Sequence, residues 1–142
     1  KQITQLFLEF HPLHQRKITS LFSKNTLDPY NCNRNQIKAI MIIGKNGEII
    51  PTLLGKCLGL QKGSLTTLLD QLETIALIKR KPHPDDRRKT LISLTDLGSE
   101  YRELKINQFE VELSNLFGNL PEEKLDEFIP CLIKVMDVIK VL

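Results

Sequence analysis

The sequence predicts a mainly α-helical fold carrying one small β-hairpin, and three observations carry that prediction. Apolar residues recur three and four apart over most of the chain, the mark of amphipathic helices. Leu77–Lys81 and Lys89–Leu94 read as two short extended runs, facing each other across Pro82-His83-Pro84-Asp85-Asp86-Arg87-Arg88. Just before them, Thr52–Leu58 and Lys62–Thr74 read as two helices separated by Gly59-Leu60-Gln61 alone. Helix, tight turn, helix and hairpin in that order make a winged helix-turn-helix over about 33–98.

The first stretch, residues 3–22, places Ile3, Leu6, Phe7, Phe10, Leu13, Leu21 and Phe22 at mostly helical spacing, with Pro12 expected to kink the helix. His11 and His14 could share a face, but no carboxylate or Cys at matching spacing makes them a metal site. Asn25–Asn33 reads as a loop, with Asp28-Pro29 and Asn31 as turn residues and Tyr30 as an anchor. A helix follows over about Arg34–Ile43, capped by Asn33 and ended by Gly44 and Gly47. Gly47–Ile50 is a short extended piece, and Pro51 suits the first turn of the next helix. There Leu53, Leu54 and Leu58 form the buried set, while Gly55 lets the following helix approach.

The helix from Lys62 carries Leu65, Leu68, Leu69 and Leu72 as its inner stripe. Gln61, Lys62, Ser64, Thr66, Thr67 and Gln71 fall largely on the other face, and no charge occurs from Gly63 to Leu69. A solvated face is more often rich in Glu and Lys. Uncharged donors and acceptors are what base edges in a major groove require. The N-terminal positions would lead into that groove, and their free N–H groups, Gly63 included, could meet a phosphate. Beyond the turn, Lys79–Lys89 holds six basic residues against two acidic ones. Lys79, Arg80 and Lys89 suit phosphate contacts, and Arg87 and Arg88 on a thin hairpin suit a narrow minor groove. Asp85 and Asp86 are expected to pair with Arg87 or Arg88 and hold a guanidinium outward. A solvated hairpin with Lys at its edge is the plainer reading of the same charges. His83 stands at the tip, and imidazole as a side-chain type is the usual pH sensor, so a pH role for it is the further expectation here.

Thr95, with Asp96 in the first turn, opens a long helix to about Phe117 with Leu97, Tyr101, Leu104, Phe109, Leu113 and Leu116 apolar. Gly118-Asn119 breaks it and Pro121 begins a last helix, kinked at Pro130, that is apolar over a wide arc from Leu125 to Leu142. So apolar a terminal helix must be covered, either within the chain or by a second copy about a two-fold axis. The expected organisation is therefore one domain over 1–142, with dimerisation helices over about 1–24 and 99–142 around the winged module.

Composition agrees with a globular protein. The chain has 142 residues, 41% hydrophobic and 26% charged, with a formal net charge of +3. That charge is uneven: residues 1–50 carry +4, 51–98 carry +3 and 99–142 carry −4. No apolar run approaches the roughly 18 residues of a membrane span, and no signal-peptide pattern opens the chain. Without an initial Met, a few leading residues are expected to be missing. Three Cys, at 32, 57 and 131, form no Cys-x-x-Cys pair, which suits a reducing cytoplasm. Paired carboxylates, a Gly-rich phosphate loop, a metal cluster and a nucleophile constellation are all missing, so an enzyme is not expected and no cofactor is implied.

Asp86-Arg87-Arg88 followed after five residues by Leu94-Thr95-Asp96-Leu97-Gly98 resembles the MarR family of bacterial transcription regulators, whose pattern is Asp-x-Arg and then Leu-Thr-x-x-Gly. Leu54–Leu60 and Leu68–Glu73 match in register, and the resemblance covers nearly the whole chain. It implies a homodimer through the first, fifth and sixth helices, duplex DNA as partner, and a crevice between the dimer region and the winged module for a small anionic or phenolic effector. It also implies a repressor of nearby genes at a near-palindromic operator, in the cytoplasm and at the nucleoid when DNA-bound. The chain departs from the pattern in three places: Ala76 stands where Gly is usual, and the Arg or Lys frequent near Thr67 and the polar cap frequent near Ile50 are missing. Some members sense oxidants through a Cys near the first helix, where this chain has none. A winged module used for protein contact, without an operator, and a Cys-based redox regulator are the alternatives.

Overall fold

A computed structural model describes residues 1–23 and 27–142 of the chain. Its elements are α1 (Gln2–Lys17), a 3-10 turn (Thr19–Ser23), α2 (Arg34–Asn46), β1 (Glu48–Ile49), α3 (Pro51–Leu58), α4 (Lys62–Thr74), β2 (Ile78–Pro82), β3 (Thr90–Leu94), α5 (Asp96–Phe117) and α6 (Glu122–Ile139). The chain divides into two compact units, Lys1–Phe109 and Glu110–Leu142. A mainly helical chain with a small antiparallel sheet is thus what forms, with six α-helices and three strands among the described residues.

The first helix is shorter than its apolar spacing suggests. α1 ends at Lys17 and the chain tightens into the 3-10 turn, with Pro12 inside the helix. The side chain of Phe22 and residues 25 and 26 of the expected loop lie outside the described residues. No residue of α1 is buried, so its apolar positions meet solvent in the single chain.

α2 opens on a full capping box: Asn33 Oδ1 accepts the Gln36 N–H at 3.0 Å, and Gln36 Oε1 accepts the Asn33 N–H at 2.8 Å. It does not stop at Gly44 as expected but runs to Asn46, where Gly47 closes it at φ +75. Gly44 has a packing purpose instead. A Cβ there would stand 2.2 Å from the Cδ of Arg102, so the missing side chain makes room for α5.

The core of the first unit joins Ile40 and Ile43 of α2, Leu54 of α3, the whole Leu65, Leu68, Leu69 and Leu72 stripe of α4, and Leu77, Ile78 and Ile92. Each such side chain contributes about 1.5–3 kcal/mol by leaving water. Leu53, expected in this set, faces outward at 47% exposure. It is one residue, about 100° of helix, away from the fully buried Leu54. Gly55 does admit α4, since a Cβ would lie 3.1 Å from Leu65 Cδ2. Gly59 takes the left-handed conformation at φ +64 that the turn needs.

The sheet has the order β1-β3-β2, all antiparallel. Glu48–Ile49, read as merely extended, is a true edge strand beside β3. This makes β3 central. Leu91 and Ile92 are therefore both buried, where a two-stranded hairpin would bury alternate residues only.

The junction after the hairpin is tightly built. The Thr95 hydroxyl donates to the Ala76 carbonyl at 2.5 Å and accepts the Gly98 N–H at 2.9 Å, so Thr95 caps α5 while gripping the end of α4. Gly98 has no freedom to be anything larger: a Cβ would fall 1.9 Å from the Leu77 carbonyl oxygen. Ala76 sits at φ +61, which accounts for the Gly that the pattern places there.

A buried polar cluster joins residues far apart in sequence. Asp28 Oδ2 accepts the Tyr101 hydroxyl at 2.6 Å and the Lys105 ammonium at 2.7 Å, and Oδ1 accepts the Tyr30 N–H at 2.9 Å. Tyr30 packs edge-on against Tyr101, at 5.2 Å between ring centres. Burial acts to raise the Asp28 carboxyl, but the bonds from Lys105, Tyr101 and the Tyr30 N–H outweigh it and leave it below its usual range. Burial and the Asp28 bond hold the Tyr101 phenol protonated, far above its ordinary value.

In the second unit, Phe117 and Phe128 meet at 5.4 Å between ring centres. Pro121 caps α6, and Pro130 lies within it. None of α6 is buried, and Phe128, Leu132, Ile133, Val135, Met136 and Ile139 are all exposed. Among the described residues no helix is long and apolar enough to cross a membrane.

Two outcomes are expected. Ala76→Gly removes left-handed strain and raises unfolding stability by about 1 kcal/mol in urea titration. Asp28 has a folded-state pKa below its unfolded one, so its contribution is full above the unfolded value near ~4 and fades as pH falls through the folded one. Asp28→Asn is therefore clearly less stable than the parent at pH 7, by about 3 kcal/mol for a broken buried pair, and the gap narrows below about pH 4.

Candidate nucleic-acid interface

α4 buries its leucines and leaves the rest of its surface to solvent. Gln61 precedes its first turn without a side-chain cap bond, and Lys62, Gly63, Ser64, Thr66 and Thr67 are all exposed. The N–H groups of a first helical turn have no acceptor within the helix, so they point out of the N-terminus. The threonine hydroxyls turn back onto the helix. Thr66 donates to the Lys62 carbonyl at 2.9 Å, and Thr67 donates to the Gly63 carbonyl at 3.1 Å. Gln71 accepts from Gln36 Nε2 at 3.0 Å, which ties α4 to α2.

The wing tip is held by its own backbone. The His83 N–H donates to the Lys89 carbonyl and the Lys89 N–H to the Asp86 carbonyl, both at 2.9 Å. Asp86 Oδ1 accepts the Arg88 backbone N–H at 3.0 Å, and His83 Nδ1 accepts the Asp85 N–H at 3.1 Å. The expected pairing of Asp85 or Asp86 with a guanidinium does not occur among the described residues. A short carboxylate reaches its own backbone two residues on more readily than a long side chain leaving the turn. Arg87, Arg88 and Lys89 are left exposed at the tip, as is Lys79 on β2.

Arg80 behaves differently from its basic neighbours. Its guanidinium lies 2.8 Å from Asp70 Oδ1 and 3.6 Å from Glu73 Oε1, two carboxylates one helical turn apart on α4. It ties β2 to α4 rather than standing free. Lys81 likewise pairs with Glu48, joining the two edge strands. Neither Asp70 and Glu73 nor Glu48 was singled out by sequence. The available signal was the i, i+3 acid pair next to a basic strand, which only a packed α4–β2 contact makes meaningful. Between α3, α4 and the sheet lies a groove of about 740 Å³, lined in part by Pro51, Lys56, Lys62, Thr66, Arg80 and Thr90.

The remaining candidates stand apart. His11 faces Gln15 at 3.5 Å, and His14 faces Thr19 at 3.2 Å and stacks on Phe10. Among the described residues no group of His, Cys, Asp or Glu could hold a metal ion. Cys57 and Cys131 are exposed, whereas Cys32 is half-buried beside Tyr101. Burial, with the charge of Asp28, pushes the Cys32 thiol up, which disfavours a reactive thiolate.

Comparison with known proteins places this geometry. A family model described as the MarR family matches residues 32–90, the stretch from α2 through the wing. The multiple antibiotic resistance protein MarR of Salmonella typhimurium is 35% identical over 106 residues, covering 70% of this chain and 72% of that protein. The chain belongs to the MarR family. Members of the family are transcriptional regulators, not enzymes, and so is this chain. An organic hydroperoxide resistance transcriptional regulator of Bacillus subtilis is 32% identical over 92 residues, covering 65% of this chain and 62% of that protein. Among solved structures, wild-type apo MarR from E. coli superposes with a TM-score of 0.79 at 28% identity, covering 92% of this chain and 95% of that one. A mutant of E. coli MarR complexed with operator DNA gives 0.69 at 28% identity, covering 94% and 95%.

Proposed function

We propose that this MarR-family regulator is a homodimeric repressor that binds a pseudo-palindromic operator in duplex DNA. The observation that carries the reading is the pairing of an exposed, uncharged polar face on α4 with an arginine-tipped wing on the same rigid core. The solved complex of a MarR relative with operator DNA supports it. In this reading Ser64, Thr66 and Thr67 meet base edges, while Gln61, Gly63, Lys62, Lys79 and Lys89 lie against phosphate. Arg87 and Arg88 enter the minor groove, with Asp85 and Asp86 shaping the tip. Arg80 holds wing and helix together through Asp70 and Glu73.

The exposed apolar faces of α1 and α6 are what a second copy would bury, giving a two-fold dimer in the cytoplasm and at the nucleoid. Its half-sites would lie about one helical turn apart, near 34–36 Å. The groove beside α4, which lies within the winged module rather than between it and the dimer region, has room for a small anionic effector. A bound carboxylate there would compete with DNA phosphate for Lys56 and Lys62, so the effector would release the operator.

The test is selection of bound duplexes from random DNA, with sizing of the protein in solution. A dimer that enriches a near-palindrome supports the reading. A monomer giving no gel shift at low salt would favour a protein-contact module. Arg88→Ala should weaken binding and lower the slope of log K against log salt by about 1, with the operator preference unchanged. Ile133→Glu should convert the dimer to monomer in analytical ultracentrifugation and abolish tight operator binding, while the winged unit keeps its helical circular dichroism.

A further inference from the structure

We propose that Thr66 and Thr67 read the operator through their methyl groups, each against the 5-methyl of a thymine; the inference rests on the DNA-binding reading above. Each hydroxyl proton is already given to a carbonyl one turn back, Lys62 for Thr66 and Gly63 for Thr67. A threonine so bonded has to break that bond before its one proton can reach a guanine or adenine N7. It presents a lone pair and, pointing off the helix, its γ-methyl. Both residues are exposed in the helix segment that would enter the groove.

The rest of the face narrows the choices. An adenine is read by an amide that accepts from N6 and donates to N7 at once. The Gln71 amide oxygen accepts from Gln36 Nε2 at 3.0 Å, which turns the amide toward α2, so Gln71 would have to leave that partner to make the bidentate pair. No Arg or Lys occurs from Gly63 to Leu69, so the common guanine contact is missing from that segment. What remains there is one free hydroxyl, Ser64, and two methyls. Apolar contact with the thymine methyl is the major-groove signal that two methyls can detect, and it separates T from C.

The experiment takes the full-length protein and the duplex recovered by selection. Deoxyuridine replaces thymidine one position at a time, which removes only the 5-methyl, and affinities are measured at fixed salt. Wild-type protein should lose about fourfold per substituted half-site at two positions, the worth of one buried methyl. Thr66→Ser and Thr67→Ser keep the hydroxyl and delete the methyl. Each should weaken binding to the thymidine operator by a similar factor and become indifferent to deoxyuridine at one of the two positions. If no position responds to deoxyuridine in the wild-type protein, or if the serine variants keep the full wild-type response, the inference is overturned. The wild-type arm needs no variant to fold. Recovery of a specific duplex that ignores deoxyuridine sinks this inference and leaves the DNA-binding reading standing. Recovery of no specific duplex sinks both.

Discussion

One contact organises the winged unit: the backbone of Gly98 lying against the carbonyl of Leu77. A Cβ would come within 1.9 Å of that oxygen. The close approach lets the Thr95 hydroxyl reach the Ala76 carbonyl and the Thr95 N–H reach the Leu77 carbonyl at 3.1 Å. The Leu77 N–H, in turn, closes the end of α4 onto the Leu72 carbonyl at 3.0 Å. The end of α4, the start of β2, the end of β3 and the start of α5 thus share a single hydrogen-bonded joint. Whatever α4 and the wing present to a partner, they present in a fixed mutual orientation because this joint has no slack. The Leu-Thr-x-x-Gly pattern is therefore a statement about packing, and its link to function is indirect. It fixes the geometry in which the outward-facing residues of Gln61–Thr67 and Arg87–Lys89 can act together.

That division explains what could be read from the sequence and what could not. The α4 stripe was legible because Leu65, Leu68, Leu69 and Leu72 repeat at helical spacing, and a single periodic signal decides which face is buried. Asn33 and Thr95 were legible as caps because capping is local chemistry within three residues. Gly44 was misread for the same reason. A glycine in a helical run suggests a stop when only the local chain is considered, whereas here it answers to Arg102, far along the chain. Leu53 was misplaced because an eight-residue helix offers too few positions to define an apolar face. The cluster of Asp28, Tyr101 and Lys105 was out of reach, since no periodicity relates a loop carboxylate to an ammonium more than seventy residues later. At the interface, residue types and the basic run could be read. The capture of Arg80 by Asp70 and Glu73 could not, because it depends on which face of α4 lies beside β2.

The buried cluster also shows how the unit tolerates charge inside. Asp28 and Lys105 are almost fully enclosed, at 11% and 9% side-chain exposure. An isolated charge so placed would be costly, and a paired one is often no better than an apolar replacement. Here both Asp28 oxygens are occupied, by the Tyr101 hydroxyl, the Lys105 ammonium and the Tyr30 N–H. Full satisfaction of this kind specifies one arrangement rather than adding much stability. Its effect is to hold the loop ahead of α2 at one place on α5, about one to two helical turns beyond the Gly98 joint on the same helix.

The distribution of charge over the outward face follows from these same constraints. α4 has its acids, Asp70 and Glu73, in its later turns, and they neutralise the Arg80 guanidinium that packs beside them. Its first two turns then carry a single cation, Lys62, while Arg87, Arg88 and Lys89 are exposed on the wing, with no carboxylate paired to them among the described residues. On the proposed reading, the two parts divide the work of recognition. Phosphate attraction, which is strong, salt-sensitive and blind to sequence, belongs mainly to the wing. Discrimination between bases belongs to small uncharged groups on α4, whose contacts are individually weak but depend on fit. A helix with more cations in those turns would hold any duplex more tightly, and would gain less of its total affinity from the correct one. The weakly charged helix therefore suits selectivity, provided that the wing, held by the Gly98 joint, keeps it seated in the groove.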